Sequence, residues 1–172
     1  MADYRPAVKA DAPELTELRL QTELEDHEGQ LTDASVAVIR SAYPDFLERR
    51  LGDRFYIMVA VEAGQIVSTA AMIVDEKPVG AHWPNGWRGR LMQVYTLPEH
   101  RRQGHAKKLC GMLIDLAQEL GASIVDLEAT PSGRYLYESL GFKLKSSYCV
   151  EMELPLAENL QPDCCNDQPD ES

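Results

Sequence analysis

The chain has 172 residues, of which 44% are hydrophobic and 26% charged, with a net charge of −11. These are globular values that exclude collagen-like, coiled-coil and disordered chains, and about two thirds of the surface of such a chain can be buried without a disulfide or metal staple. The acidic balance argues against a nucleic-acid partner. Apolar runs such as Ile57–Val61 fall far below the ~20 residues that cross a bilayer, which argues against a membrane partner.

In chain order, Tyr4–Val8 reads as a short strand. Asp11-Ala-Pro-Glu then opens a helix, with Asp11 as N-cap and Glu14 completing a capping box. Glu23–Gln30 reads as a charged connector, and Thr32–Leu51 as a second helix bent or broken near Pro44. Phe55–Glu62 and Ile66–Val74 flank Ala63-Gly64-Gln65 as an antiparallel hairpin. Asp75–Arg88 is a loop rich in Trp, Gly and Pro, and Gly89–Leu97 is the fourth strand. His105–Leu120 carries Leu109, Leu113, Leu116 and Leu120 at helical spacing, and Gly121 stops it. Ser123–Glu128 is a strand, Ser132–Leu140 a short helix and Phe142–Leu154 a final strand. The order βααβββαβαβ predicts a mixed sheet with helices on its faces, of class α/β or α+β. One domain over 1–156 and an acidic, disordered tail over 157–172 are expected. From Pro155 onward there are five acids and no base.

The N-terminal Met-Ala-Asp-Tyr-Arg-Pro has no apolar signal region, so a soluble cytoplasmic protein is expected. Cys110, Cys149, Cys164 and Cys165 form no C-x-x-C pair and have no His at ligand spacing, so no metal is expected. Cys110 falls on the apolar face of its helix.

Chemistry concentrates at one strand-to-helix junction. Arg88, Arg90, Arg101, Arg102, Lys107 and Lys108 stand against one acid, Glu99, a local excess of positive charge in an acidic protein. Within it, Arg101-x-x-Gly104-x-Ala106 leads straight into the helix, whose first amides and dipole favour an anion. Gly104 and Ala106 leave room for a phosphate. The dinucleotide and P-loop fingerprints are both absent, which disfavours an ordinary NAD or ATP site.

With Leu136-Tyr-Glu-Ser-Leu-Gly-Phe142 downstream, the chain resembles the GNAT superfamily of acetyl-coenzyme A-dependent N-acetyltransferases. Arg101–Ala106 matches the family's R/Q-x-x-G-x-G/A motif, Leu136–Phe142 its L-Y-E-x-L-G-F motif, and the opening Tyr4-Arg-Pro-Ala its first strand. The resemblance covers about residues 3–154. It implies the acyl-CoA N-acyltransferase fold: a mostly antiparallel mixed sheet, helices on both faces, splayed between the fourth and fifth strands. It further implies that backbone groups of Val94, Tyr95 and Thr96 pair with the pantetheine arm of acetyl-CoA. The amides of Arg102, Gln103, Gly104, His105, Ala106 and Lys107 would hold the pyrophosphate. Thr130 stands where many members carry an Asn seven residues before the tyrosine. Tyr137 matches the family's general acid, and Glu128 resembles a general base of one branch. A water relay, or uptake of an already neutral amine, remains an alternative to that base.

The expected reaction moves acetyl from acetyl-CoA to a primary amine, on a small molecule or a peptide. A non-catalytic acyl-CoA sensor on the same scaffold is the alternative. Glu23, Glu25, Asp26 and Glu28 lie where the family's acceptor cleft is edged, which predicts a cationic acceptor; a solvated acidic loop is the plainer reading. Trp83 and Trp87 are candidates for a lid. His27, His82 and His100 have no partner visible in the sequence, and a homodimer is open because family members often pair.

Overall fold

The computed structural model describes residues 2–27, 29–81, 83–145 and 154. Five strands form one sheet in chain order: β1 (Asp3–Pro6), β2 (Phe55–Glu62), β3 (Gln65–Glu76), β4 (Trp87–Thr96) and β5 (Ile124–Asp126). The first four are antiparallel and β5 is parallel to β4. A parallel neighbour needs a crossover. Helix α3 (His105–Glu119) supplies it. Helices α1 (Ala12–Asp26) and α2 (Asp33–Arg50) lie between β1 and β2, and α4 (Arg134–Glu138) follows β5.

The sheet is covered on both faces, and β2 shows why it is apolar throughout. Phe55, Ile57 and Val59 pack with Leu15, Leu18 and Leu47 of α1 and α2. Met58 and Ala60 turn to the other face and meet Leu109, Cys110, Leu113 and Ala117 of α3. Cys110 is therefore core, as its spacing predicted, whereas Leu120 at the helix end is 39% exposed. The β2–β3 turn has positive φ at Ala63 (49°) and Gly64 (83°), the geometry that suits the twist of a tight hairpin.

Several local expectations are corrected. Asp11 precedes α1 but makes no side-chain cap. Its carboxylate instead accepts from the Val8 amide (2.8 Å) and takes both guanidinium nitrogens of Arg5. Glu14 makes no capping box, because its Oε1 accepts from the Ile66 amide at 2.7 Å and ties α1 to β3. The expected connector at Glu23 is still helix, since Glu23 pairs with both Arg19 and His27 one turn away on either side. α2 runs unbroken through Pro44, capped by Thr32, whose Oγ1 accepts from the Ser35 amide. The expected last strand is not strand over 142–145, and the remainder of it, apart from 154, lies outside the described residues, as does the tail from 155.

The sheet splays at β4. It pairs with β5 only through Arg88–Ile124, Gly89–Val125 and Arg90–Asp126. From Leu91 to Thr96 that edge has no strand beside it among the described residues. On the other edge, Thr69 pairs with Tyr95 and Ala71 with Met92, so Gln93 and Val94 together face Ala70. This bulge bends β4 away, with Gln93 at φ 51°.

Candidate active site

β4 ends in a short 3-10 turn, Pro98–His100, and the chain then reverses into α3. Arg102 (φ 60°) and Gly104 (φ 88°) both take left-handed conformations there. Among the described residues, the amides of Arg102, Gln103, Gly104, His105, Ala106 and Lys107 make no backbone hydrogen bond, while Lys108 already donates to Gly104. A Cβ on Gly104 would meet nothing within 4 Å, so the space in front of these donors is open. Arg102, Lys107 and Lys108 are exposed and have no carboxylate partner among the described residues. A diphosphate fits this donor set.

The six-base cluster, by contrast, is divided. Arg88 is held by Asp75 and Asp126, and Arg90 by Asp126 and Glu128. Arg101 pairs with Glu25, donates from Nε to the Thr96 carbonyl at 2.9 Å and lies over the Tyr95 ring. These three arginines brace the site, and the free positive charge is that of Arg102, Lys107 and Lys108.

The open edge of β4 carries Val94, Tyr95 and Thr96. Val94 packs toward α3, and Tyr95 packs toward α1 and α2. Ser68 Oγ fixes the far side of this segment, 2.9 Å from the Tyr95 carbonyl and 2.7 Å from Thr96 Oγ1. Tyr137 on α4 packs against the α3 side of the core, edge-on to Phe142. Burial, with a smaller contribution from Cys110, pushes its hydroxyl up to about 12. Thr130 shares this corner: a Cβ at Gly133 would sit 3.2 Å from Thr130 Oγ1 and 3.5 Å from Tyr137 Cε2. Thr130 Oγ1 also accepts from the Gly133 amide and so shapes the entry to α4. Glu128 lies just past β5, largely exposed, with its carboxylate on Arg90.

Residues 16–142 match the acetyltransferase (GNAT) family, most of the chain and every part of the site just described. The chain belongs to the GNAT family. Its fold is also that of solved GNAT structures. A predicted acetyltransferase from Clostridium acetobutylicum, solved with acetyl-CoA, is 24% identical over 89% of this chain and 96% of its own, with a TM-score of 0.76. A GCN5-related N-acetyltransferase from Ralstonia eutropha JMP134 gives 24% identity, 91% and 99% coverage and the same TM-score. Glucosamine-6-phosphate N-acetyltransferase from Arabidopsis thaliana gives 21%, 91% and 99%, with a TM-score of 0.67.

On the opposite side of the bulge, this GNAT chain brings together residues that no sequence motif marked. Tyr43 of α2 donates to Gln93 Oε1 at 2.9 Å, and with Leu15, Arg19, Thr22 and Thr69 they line a small cavity of about 10 Å³. Burial pushes the Tyr43 hydroxyl up to about 12. Tyr43 and Gln93 lie far apart in the sequence, so only a helix-to-bulge contact reveals them. The acidic run at the end of α1 is largely satisfied internally. Glu23 pairs with Arg19 and His27, and Glu25 with Arg101. Asp26 has no ion pair among the described residues, and desolvation, then Glu23, raises its carboxyl above the usual range. Glu28 lies outside the described residues.

The two tryptophans are at the other end of the sheet. Trp87 pairs with Glu76 at the start of β4 and packs under Arg54, while Trp83 belongs to the turn joining β3 and β4. No helix among the described residues is long and apolar enough to cross a membrane.

Proposed function

We propose that this GNAT acetyltransferase moves the acetyl group of acetyl-CoA to a primary amine by direct attack within a ternary complex. The observation that carries this reading is the row of free amides from Arg102 to Lys107 standing next to the unpaired edge of β4. The amides and the charges of Arg102, Lys107 and Lys108 would take the diphosphate. The edge at Val94, Tyr95 and Thr96 would take the amide-bearing pantetheine arm as an added strand, with Thr130 at its far corner. Holding the thioester and the amine together in this way removes most of the entropic cost of the encounter.

Acetyl-CoA supplies the activated carbonyl. As the nitrogen–carbon bond forms, the carbon–sulfur bond breaks and charge moves onto sulfur. Tyr137 donates its hydroxyl hydrogen bond to that sulfur. A phenol held near 12 is a weaker acid than a thiol at about 8.5, so its main contribution is stabilising the developing thiolate. Glu128 is the carboxylate just past β5, paired with Arg90. It accepts the proton the amine must lose, through water. The acceptor enters from the Tyr43–Gln93 side, and Asp26 attracts a cationic amine.

An acetylation screen over amine classes, with detection of released thiol, tests the reading. Amine-dependent thiol release is expected; tight coenzyme A binding with no release toward any amine would favour the sensor alternative. Tyr137→Phe should lower turnover on the order of 10²–10⁴ with coenzyme A affinity nearly intact. A loss confined to affinity would remove Tyr137 from the chemistry. For the acceptor's charge, Asp26→Asn and added salt should each raise the Michaelis constant of a cationic amine. Insensitivity to both would show that the end of α1 only faces solvent.

A further inference from the structure

At the Arg102–Lys107 turn, a side chain from β2 converges with one from either end of the turn. Glu62 ends β2, His100 ends the 3-10 turn after β4, and His105 opens α3. One ligand atom from each lies within 4.8 Å of the other two. His105 is 4% exposed, and its Nε2 is buried with no hydrogen-bond partner among the described residues. His100 Nδ1 is likewise buried and lacks a hydrogen bond, although Glu62 Oε2 lies 3.1 Å away without the alignment of one. Tyr4 of β1 holds the other nitrogen of the His105 ring, with its hydroxyl 2.9 Å from Nδ1.

Neither buried imidazole nitrogen has a hydrogen bond, and His105 Nε2 has no polar partner at all among the described residues, an arrangement that is costly as it stands. We propose that Glu62, His100 and His105 form a binding site for a divalent zinc-type ion. Two imidazoles and one carboxylate are a donor set that suits zinc, with a fourth position left for water. Ligand atoms around a tetrahedral zinc stand about 3.4 Å apart, so closing the 4.8 Å limit takes roughly an ångström of side-chain movement. Glu62 and His100 have that freedom, their side chains being 27% and 25% exposed. The Tyr4 contact supplies what a ligating histidine ordinarily has. With Nδ1–H donating to the Tyr4 oxygen, the His105 ring is fixed in orientation and Nε2 presents its lone pair to the ion. A bound ion would pin both ends of the amide-bearing turn to the end of β2. Sequence spacing alone did not single out this site, because His100-x4-His105 is only half of a metal motif and the carboxylate comes from far upstream on β2.

The test is a titration of the metal-free full chain, carrying Cys164→Ser and Cys165→Ser to remove two thiols, with Co²⁺ followed by its visible absorption and displaced by Zn²⁺. One ion per chain is expected, with affinity falling at least about tenfold in His100→Ala and in Glu62→Gln. Tyr4→Phe, which touches no ion directly, should weaken binding about tenfold or more. Zn²⁺ should also raise the melting temperature of the unsubstituted chain and not that of Glu62→Gln, a reading that stands if a substitution impairs folding. Parent-like affinity in all three variants, sulfur-to-cobalt charge transfer, or no ion bound would each overturn the proposal.

Discussion

Tyr43 donates its hydroxyl to Gln93 Oε1 at 2.9 Å, and this bond joins α2 to the residue at the β4 bulge. Gln93 has a left-handed backbone (φ 51°), an uncommon conformation for a side chain of its size. The bond therefore helps hold the bend that parts β4 from β5. Tyr43→Phe would leave the Gln93 oxygen unpaired and should cost about 1 kcal/mol of stability by urea unfolding. The Michaelis constant for the acceptor should rise while coenzyme A affinity stays put. An unchanged acceptor constant would separate this contact from the acceptor side.

Gly104 tests the proposed diphosphate site. Its φ of 88° strains any other residue by roughly 1–2 kcal/mol, yet a Cβ there meets no atom within 4 Å. Gly104→Val should thus leave a folded protein and still place a branched side chain in front of the free amides. Calorimetry should show a large loss of coenzyme A affinity. Unchanged affinity would move the diphosphate elsewhere.

Gly89 tests the hinge of the splay. It is buried in β4 opposite Val125, at the centre of the short β4–β5 pairing. A Cβ there would stand 2.9 Å from Met72 Sδ, 3.3 Å from Val125 Cγ2 and 3.6 Å from Ala117 Cβ. Gly89→Ala should destabilise the fold by about 1–3 kcal/mol through overpacking of β5 and α3. A variant as stable as the parent would mean that this layer is loosely packed.

Alkaline stability follows from three buried groups. Burial raises Cys110 from 9.0, and Tyr43 and Tyr137 from 10.0, each to about 12. The native state then holds protons that the unfolded chain has already released, so stability falls as pH rises from about 9 to about 12. Urea unfolding across that range should show a progressive loss. Cys110→Ala should remove the part that begins near 9, and an identical profile in that variant would assign the loss to the tyrosines alone.

The reversal into α3 with its row of free amides could be read almost whole from the chain, because it is local. Arg101-x-x-Gly104-x-Ala106 fixes a reversal into a helix, and the amides of that reversal are donors whatever packs behind them. The same holds for the Ala63-Gly64 turn and for the continuous apolar run of β2. Long-range pairing decided the rest. Glu14 became a tether for β3 in place of a cap, its carboxylate accepting from the Ile66 amide. Arg88, Arg90 and Arg101 are instead held by carboxylates on β3, on and just past β5, and on α1. The bulge at Gln93, its bond to Tyr43 and the meeting of Glu62 with His100 and His105 all depend on register between strands, and register follows from the packing of both sheet faces at once. Sequence thus determined the fold class and the reversal with its free amides, whereas only the tertiary structure decided which charges remain free and which side chains meet.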